Sequence, residues 1–587
     1  MRGPQMRKEF SMSNDKVTIN FTEKYCSNYE SLLQSYGFRR VLDTFFKKAQ
    51  ARNSHSYKIL SQKLGTTDIK EISKALVRSF QLLTIMSADE IISYNEDVEK
   101  ILEDREGFIS IIEDIYSFWR RLERYTIIHN NRIRDGIASV SFLEANSQFS
   151  MLILNFYRTI EKNVVGTMPN IFRQLPAGGN ACILINNPVW TVPEEYKALE
   201  EIPFIETIAL ETPFITYPKK NTRDGMFNEV YENPLVNAKI DKDNWFCYPA
   251  KIGELLAFVY FHRDFMEHGI TLSNLFELAR EEEYRGKKPD IVYTFGAEEE
   301  EGSEFKTVFY EDKKYDIMFG YVNYNDNIDY FGYMKKMCLT LHNLIMIKRG
   351  YLPIHGAMVN IVLKNGKNAN VVIIGDSGAG KSESLEAFRA LSEDHVSEMT
   401  VVFDDMGSFK LKEDGIYGYG TEVGAFVRLD DLDQGYAFKE IDRSIFMNPD
   451  KINARLVMPV STYKEIIKGY KVDILLYANN YETVNEGGKA IELFETPSQA
   501  IDIFKAGARM AKGTTTETGL VTSYFANPFG PAQKQAETDV LIDRYFNRSF
   551  EDKIKVGQIK TCLAVSGLEK NGPKNAALEL FDLIKTL

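Results

Sequence analysis

From about residue 20 to 170, apolar positions recur with a helical period. Leu32, Leu33, Tyr36, Phe38, Val41, Leu42, Phe45 and Phe46 make one stripe, and Ile101, Phe108, Ile111, Ile112, Ile115 and Phe118 make another. Glycine and proline are sparse there while Glu, Lys, Arg and Leu abound, so the pattern predicts a helical region. His129 and the cluster Arg120, Arg121, Arg124 fit a solvated face. Near Pro169 the texture changes. Loop signals in LPAGGNACILINNPVW flank a short apolar run, Ala181 to Ile185, that predicts a strand. The stretch Lys251 to Gly269 predicts a helix, KPDIVYTFGA from Lys288 a strand ending in a turn, and Glu298 to Glu301 a solvated acidic loop. Phe331 to Ile347 predicts a helix that stops at Gly350.

The most informative pattern follows. Val371 to Ile374 predicts a short buried strand, and Leu385, Phe388 and Leu391 have helical spacing. Between them, Gly375, Asp376, Ser377, Gly378, Ala379, Gly380, Lys381 and Ser382 fit the phosphate-loop pattern G-x-x-x-x-G-K-[ST], in the strand–loop–helix context it requires. Glycines let successive N–H groups curl toward phosphate oxygens, and the following helix adds the positive end of its dipole. Lys381 is expected to reach the β/γ-phosphates of ATP and Ser382 to ligate Mg²⁺.

Composition narrows the picture. A chain of 587 residues exceeds one hydrophobic core, and 44% hydrophobic with 26% charged residues is ordinary for a globular protein. A net charge of −12 without a Lys/Arg run argues against nucleic acid or an anionic membrane as partner. Five scattered cysteines with no CxxC pair read as reduced thiols of a cytoplasmic protein. The polar N-terminus lacks a signal-peptide core, and no run of 18 apolar residues exists.

Phosphoryl transfer also needs carboxylates for the metal and cations for the migrating group. TVVFDDMG sets Asp404 and Asp405 at the end of an apolar strand, where an oxygen-ligand pair for Mg²⁺ or Mn²⁺ is expected. YLPIHGAMVNIVL sets His355 at a strand start just before the loop strand. Lys335 and Lys336 lie on the preceding helix and, taken alone, read as an exposed pair. In order, YFGYMKK, RGYLPIHGAMV, IIGDSGAGKSE and VVFDDMG resemble ATP-dependent phosphoenolpyruvate carboxykinase. KPDIVYTFGA, DGIYGYGTEVGAFV, NARLVMP, AGARMAKGTTTETG, TSYFANPFG and VSGLEKNGPKN agree, and the resemblance covers roughly residues 200–587. The glycine loop, HGAMV and GKSE are also similar to HPr kinase/phosphorylase.

The resemblance implies an α/β fold with a PEPCK-like two-lobed core and a mixed-sheet P-loop domain, preceded by an all-helical N-terminal domain. The expected divisions are 1–170, 171–345 and 346–587. It implies Mg²⁺-ATP and a second ion, Mn²⁺, held by Lys336, His355 and Asp405, with Arg455 on the γ-phosphate. Three departures stand out. The family's substrate arginine has no clean counterpart, and Lys219, Lys220 or Arg223 of TYPKKNTRDGMF are the candidates. Thr518 follows Thr516-Glu517 where the family has an arginine, and Glu383 replaces a threonine after the loop serine. Losing a bidentate arginine contact to a carboxylate costs about 2–4 kcal/mol, enough to change the substrate.

Three functions are therefore expected as alternatives. The first is carboxykinase chemistry on oxaloacetate. The second is a kinase for another acceptor, a small hydroxylated metabolite or a protein serine, with Asp404 or His355 as base. The third is a nucleotide-binding regulator. The helical N-terminal region is the candidate surface for a protein partner.

Overall fold

The computed structural model describes residues 10–587 except 14–15, 21–25, 93–95, 128–141, 168, 175–179, 188–189, 224, 301–302, 377, 382–383, 385–386, 389–390, 392–394, 430–439, 485–487, 512–518 and 570. The chain is a mixed α/β protein divided into two compact units, Met1–Pro169 and Asn170–Leu587.

In the first unit, helices Tyr36–Ala51, His55–Leu64, Ile69–Leu83, Arg105–Arg121 and Phe142–Val165 pack around Leu42, Phe46, Leu76, Phe80, Phe108 and Ile160. Four of them start where a polar side chain satisfies an otherwise unpaired N–H. Ser35 accepts from Phe38, Ser54 from Tyr57, Asp68 from Lys70 and Asp104 from Gly107. The unit is not all-helical, however. Phe10–Ser13, Lys16–Asn20 and Glu123–Ile127 form a three-stranded sheet. These strands are only four or five residues long and the last follows a helix directly, so their period of two is hidden beside the longer helical stripe. The basic cluster is also less uniform than expected. Arg121 is exposed, but Arg120 is buried with its guanidinium 5.8 Å from the Tyr116 ring, and Arg124 lies 5.1 Å from the Trp119 ring. His129 lies outside the described residues.

The second unit contains two large mixed sheets. One, of ten strands among the described residues, includes Phe204–Leu210, Trp245–Ile252, Leu255–His262, Ile291–Ala297 and Ile317–Asn323. KPDIVYTFGA is a strand as expected, but the helix expected from Lys251 to Gly269 is a hairpin. Trp245–Ile252 and Leu255–His262 pair antiparallel around Gly253, which has φ +54, and only Met266–Thr271 is α-helical. LLAFVYFH is apolar throughout and rich in aromatic residues, the mark of a strand covered on both faces rather than of a striped helix. Glu299 also departs from expectation. It accepts hydrogen bonds from Lys306 Nζ at 2.8 Å and Tyr321 Oη at 2.7 Å, with its side chain only 4% exposed.

The second sheet runs Tyr470–Lys471, Gly415–Gly420, Val396–Lys412, Leu352–Leu363, Asn368–Ile374, Ile474–Asn479, Lys555–Lys560 and Ile491–Leu493. The strand before the glycine loop is antiparallel to Leu352–Leu363 and parallel to Ile474–Asn479. Helix Phe331–Lys348 packs against strands of both sheets, and all its residues except Lys336 and Lys348 are buried. Such a helix needs no amphipathic stripe. Phe214–Thr216, from before this helix, pairs with Ile445–Met447, from well after it. No described helix is long and apolar enough to cross a membrane.

The junction between the units is where cleavage is expected. Val165, Gly166 and Thr167 are exposed, whereas Ile171–Arg173 and Ala181–Asn186 are hydrogen-bonded to Phe204–Leu210. Limited proteinase K digestion should cut at residues 165–167 and leave two resistant fragments, read by intact mass. First cuts placed instead beyond residue 170 would contradict this.

Candidate functional site

Leu352–Leu363 has Asn368–Ile374 on one side and Val396–Lys412 on the other, with Gly356 opposite Asp405 and His355 opposite Met406. The buried helix delivers Lys335 and Lys336 to the same place. Asp405 Oδ2 accepts from Lys335 Nζ at 2.7 Å and Lys336 Nζ at 2.6 Å, and its Oδ1 lies 3.0 Å from His355 Nε2. The structure thus brings Lys336, His355 and Asp405 together, and of the lysine pair that reads as exposed in isolation it buries Lys335 fully and leaves Lys336 only 13% exposed. Burial opposes the charge on Asp405, but Lys335, Lys336 and His355 outweigh it and hold the carboxyl well below its usual range. Burial lowers Lys336 to about 8, whereas Asp405 and Glu422 keep Lys335 protonated despite its burial. Glu422 Oε2 lies 3.0 Å from Lys335 Nζ, at ion-pair distance but off the hydrogen-bond direction. Burial raises Glu422 to about 7. Glu422, a lone acid among small residues in GYGTEVGAF, was absent from the expected site set, as was the carbonyl of Ala526.

That carbonyl orients His355. Nδ1 lies 2.6 Å from Ala526 O and must donate to it, and Nε2 lies 3.0 Å from Asp405 Oδ1. Burial first, and Lys381 second, depress the imidazole pKa, while Asp405 raises it. One imidazole, one carboxylate and one readily neutralised amine make a donor set that fits a divalent transition ion. The carbonyl is aimed by strain. Phe525 and Ala526 have φ of +53 and +50, a left-handed conformation that costs each about 1–2 kcal/mol. Asn343 Nδ2 donates to Phe529 O at 2.7 Å and ties this segment to the buried helix.

Beside this group lies the glycine loop. Gly378 and Gly380 have φ of +80 and +103, and a Cβ at Gly380 would come 2.8 Å from Thr561 Oγ1. Lys381, Ser384, Ala387 and Phe388 are helical. Lys381 is buried, donates to Gly375 O at 2.7 Å and has its pKa lowered by burial, against the charges of Asp405, Asp376 and Asp404. Asp376 accepts from Arg509 Nε at 3.2 Å, and Asn480 Nδ2 donates to Gly378 O at 3.0 Å, so both hold the loop without a sequence motif to announce them. Asp404 is buried opposite Ala357, and the contacts to Lys336 and His355 fall to Asp405. Arg455 starts a strand of another sheet, its guanidinium 5.2 Å from the Phe426 ring, on which Lys335 Nζ also lies at 5.3 Å. Its Nε is buried without a hydrogen-bond partner among the described residues. Ser377, Ser382, Glu383, Thr516, Glu517 and Thr518 lie outside the described residues.

A second cluster, Glu267, His268 and Asp329, meets ligand-like geometry. Its histidine Nδ1 is buried without a partner among the described residues, so the cheaper arrangement protonates Nε2, which donates to Asp329 Oδ1 at 3.0 Å. Asp329 Oδ2 accepts from Lys219 N at 2.9 Å, so this cluster anchors the segment before Arg223. No protein-family model and no curated protein matches the chain, and the functional reading rests on this geometry.

Two outcomes are expected. Lys381→Ala should abolish nucleotide turnover while leaving the circular dichroism spectrum unchanged, and retained full activity would remove the loop from the site. Mn²⁺ affinity, read by titration calorimetry, should fall as pH drops below about 8, because binding must displace the proton of Lys336. The loss should approach about tenfold per pH unit for one displaced proton. Asp405→Asn and His355→Ala should both weaken binding, and unchanged affinity in both would reject the shared site.

Proposed function

We propose that residues 170–587 form a PEPCK-like two-lobed core performing ATP-dependent phosphoryl transfer of the phosphoenolpyruvate carboxykinase type, converting oxaloacetate and ATP to phosphoenolpyruvate, CO₂ and ADP. The observation that carries this reading is the convergence on Asp405 of His355 Nε2 at 3.0 Å and Lys336 Nζ at 2.6 Å, beside the glycine loop that holds Lys381. A divalent ion held by Lys336, His355 and Asp405, with Mn²⁺ the best match, would polarise the oxygen that accepts the phosphoryl group. Lys381 would exchange Gly375 O for the β/γ-phosphates, and Ser382 would meet the Mg²⁺ of the nucleotide. Arg455, with its unpartnered Nε, would neutralise charge on the γ-phosphoryl group.

Arg223 favours a carboxylate substrate. Its guanidinium lies 4.9 Å from the Phe227 ring and 5.5 Å from the Phe529 ring, and Phe529 also carries Lys336 Nζ at 4.6 Å. Two cations on one ring, one of them at the metal group, suit an anion bridging from metal to guanidinium. Arg223 also donates to Gly225 O, and Lys219 is paired with Asp326 at 2.7 Å. Arg223→Ala should raise the KM for oxaloacetate at least tenfold, with the KM for ATP nearly unchanged, because uniform binding of the acceptor alone is lost. Should wild-type protein form no ADP from oxaloacetate with Mg²⁺ and Mn²⁺ present, the carboxykinase assignment fails. Turnover with hydroxylated acceptors or protein serine would then mark a kinase, and nucleotide binding without turnover a regulator.

A further inference from the structure

The N-terminal unit has an apolar pocket of about 120 Å³ that is partly open to solvent. Its inner wall belongs to the packed core, where spaces larger than a water molecule are rare. Its walls resist collapse. The rings of Phe38, Phe80 and Phe156 meet edge to face, at 6.3 Å for the first pair and 5.7 Å for the other two. Tyr116 and Tyr157 stack with centroids 4.1 Å apart, and the Tyr157 hydroxyl is fixed on Glu113 at 2.5 Å. Two polar groups at the wall, the Tyr157 and Ser35 hydroxyls, are already in use. The Ser35 hydroxyl donates to Leu32 O and accepts from Phe38 N, capping its helix. A buried water needs two to four polar partners, and a wall built this way is poor at supplying them. Tyr36, exposed, places one end of the cavity at the surface.

We propose that the N-terminal unit is a binding module for a compact apolar molecule, a single aromatic ring or an alkyl group of similar bulk. The volume fits one ring, since cavities of this order in apolar cores take up benzene-sized ligands. Among the described residues the lining is mainly apolar, which disfavours sugars, nucleotides and carboxylates, whose polar groups would go unpaired. The site is separate from the phosphoryl-transfer reading and stands or falls without it.

Trp119 lines this cavity, whereas Trp190 and Trp245 are buried in the core of the other unit. Bromobenzene titrated into the full chain should quench part of the tryptophan emission saturably. The saturable part should vanish in Trp119→Phe. Ile153→Phe and Ile115→Phe, which add bulk at partly buried wall positions, should each weaken half-saturation about tenfold or more. On the wild type, 4-bromobenzoate should bind at least about tenfold more weakly than bromobenzene, because its carboxylate would be desolvated. Non-saturable quenching, quenching that survives Trp119→Phe, unchanged half-saturation in a folded filled variant, or equal binding of 4-bromobenzoate would each overturn the proposal.

Discussion

The candidate site of the second unit is arranged around one largely buried carboxylate. Asp405 sits among Lys335, Lys336 and His355 in a place where an unpaired charge would be untenable. Removing one member of such a group typically costs about 3–5 kcal/mol, because the others are left charged without partners. The group holds only if a helix, two strands and the 525–529 segment meet within hydrogen-bond distance. The helix is therefore sealed between sheets, the strand pairing sets Asp405 opposite Gly356, and two residues accept left-handed backbone to present one carbonyl.

The same group separates the tasks of two adjacent lysines. Lys335 is fully buried and faces both Asp405 and Glu422, so it stays charged. Lys336 has one carboxylate and a like charge beside it, and burial makes it the amine that gives up its proton more easily. Lys335 thus supplies a permanent charge and Lys336 an exchangeable one.

The local signals of the site were legible because they are sequential. Glycine spacing after a four-residue apolar run identifies the loop, and the order of lysine pair, histidine and aspartate identifies the group that converges on it. The partners that orient these residues were not legible. Ala526 acts through its carbonyl, which every residue owns, and Glu422 and Arg509 matter through distant pairings. For the fold, long helical stripes in the first unit were readable, but strands of five residues beside them were not. The stretch from Lys251 reads as a helix because its strand Leu255–His262, covered on both sides and rich in aromatic residues, carries no period of two.

Helix Phe331–Lys348 has a consequence for how this chain can vary over time. Apart from Lys336, which opens toward the charged group, and Lys348 at its end, no position on it faces solvent. Nearly every substitution there changes packing against one sheet or the other, so neutral drift has almost nowhere to act. Divergent descendants of this sequence would accumulate their differences in surface loops and keep this segment, and a short probe built on it would retrieve them after the rest of the chain had ceased to align.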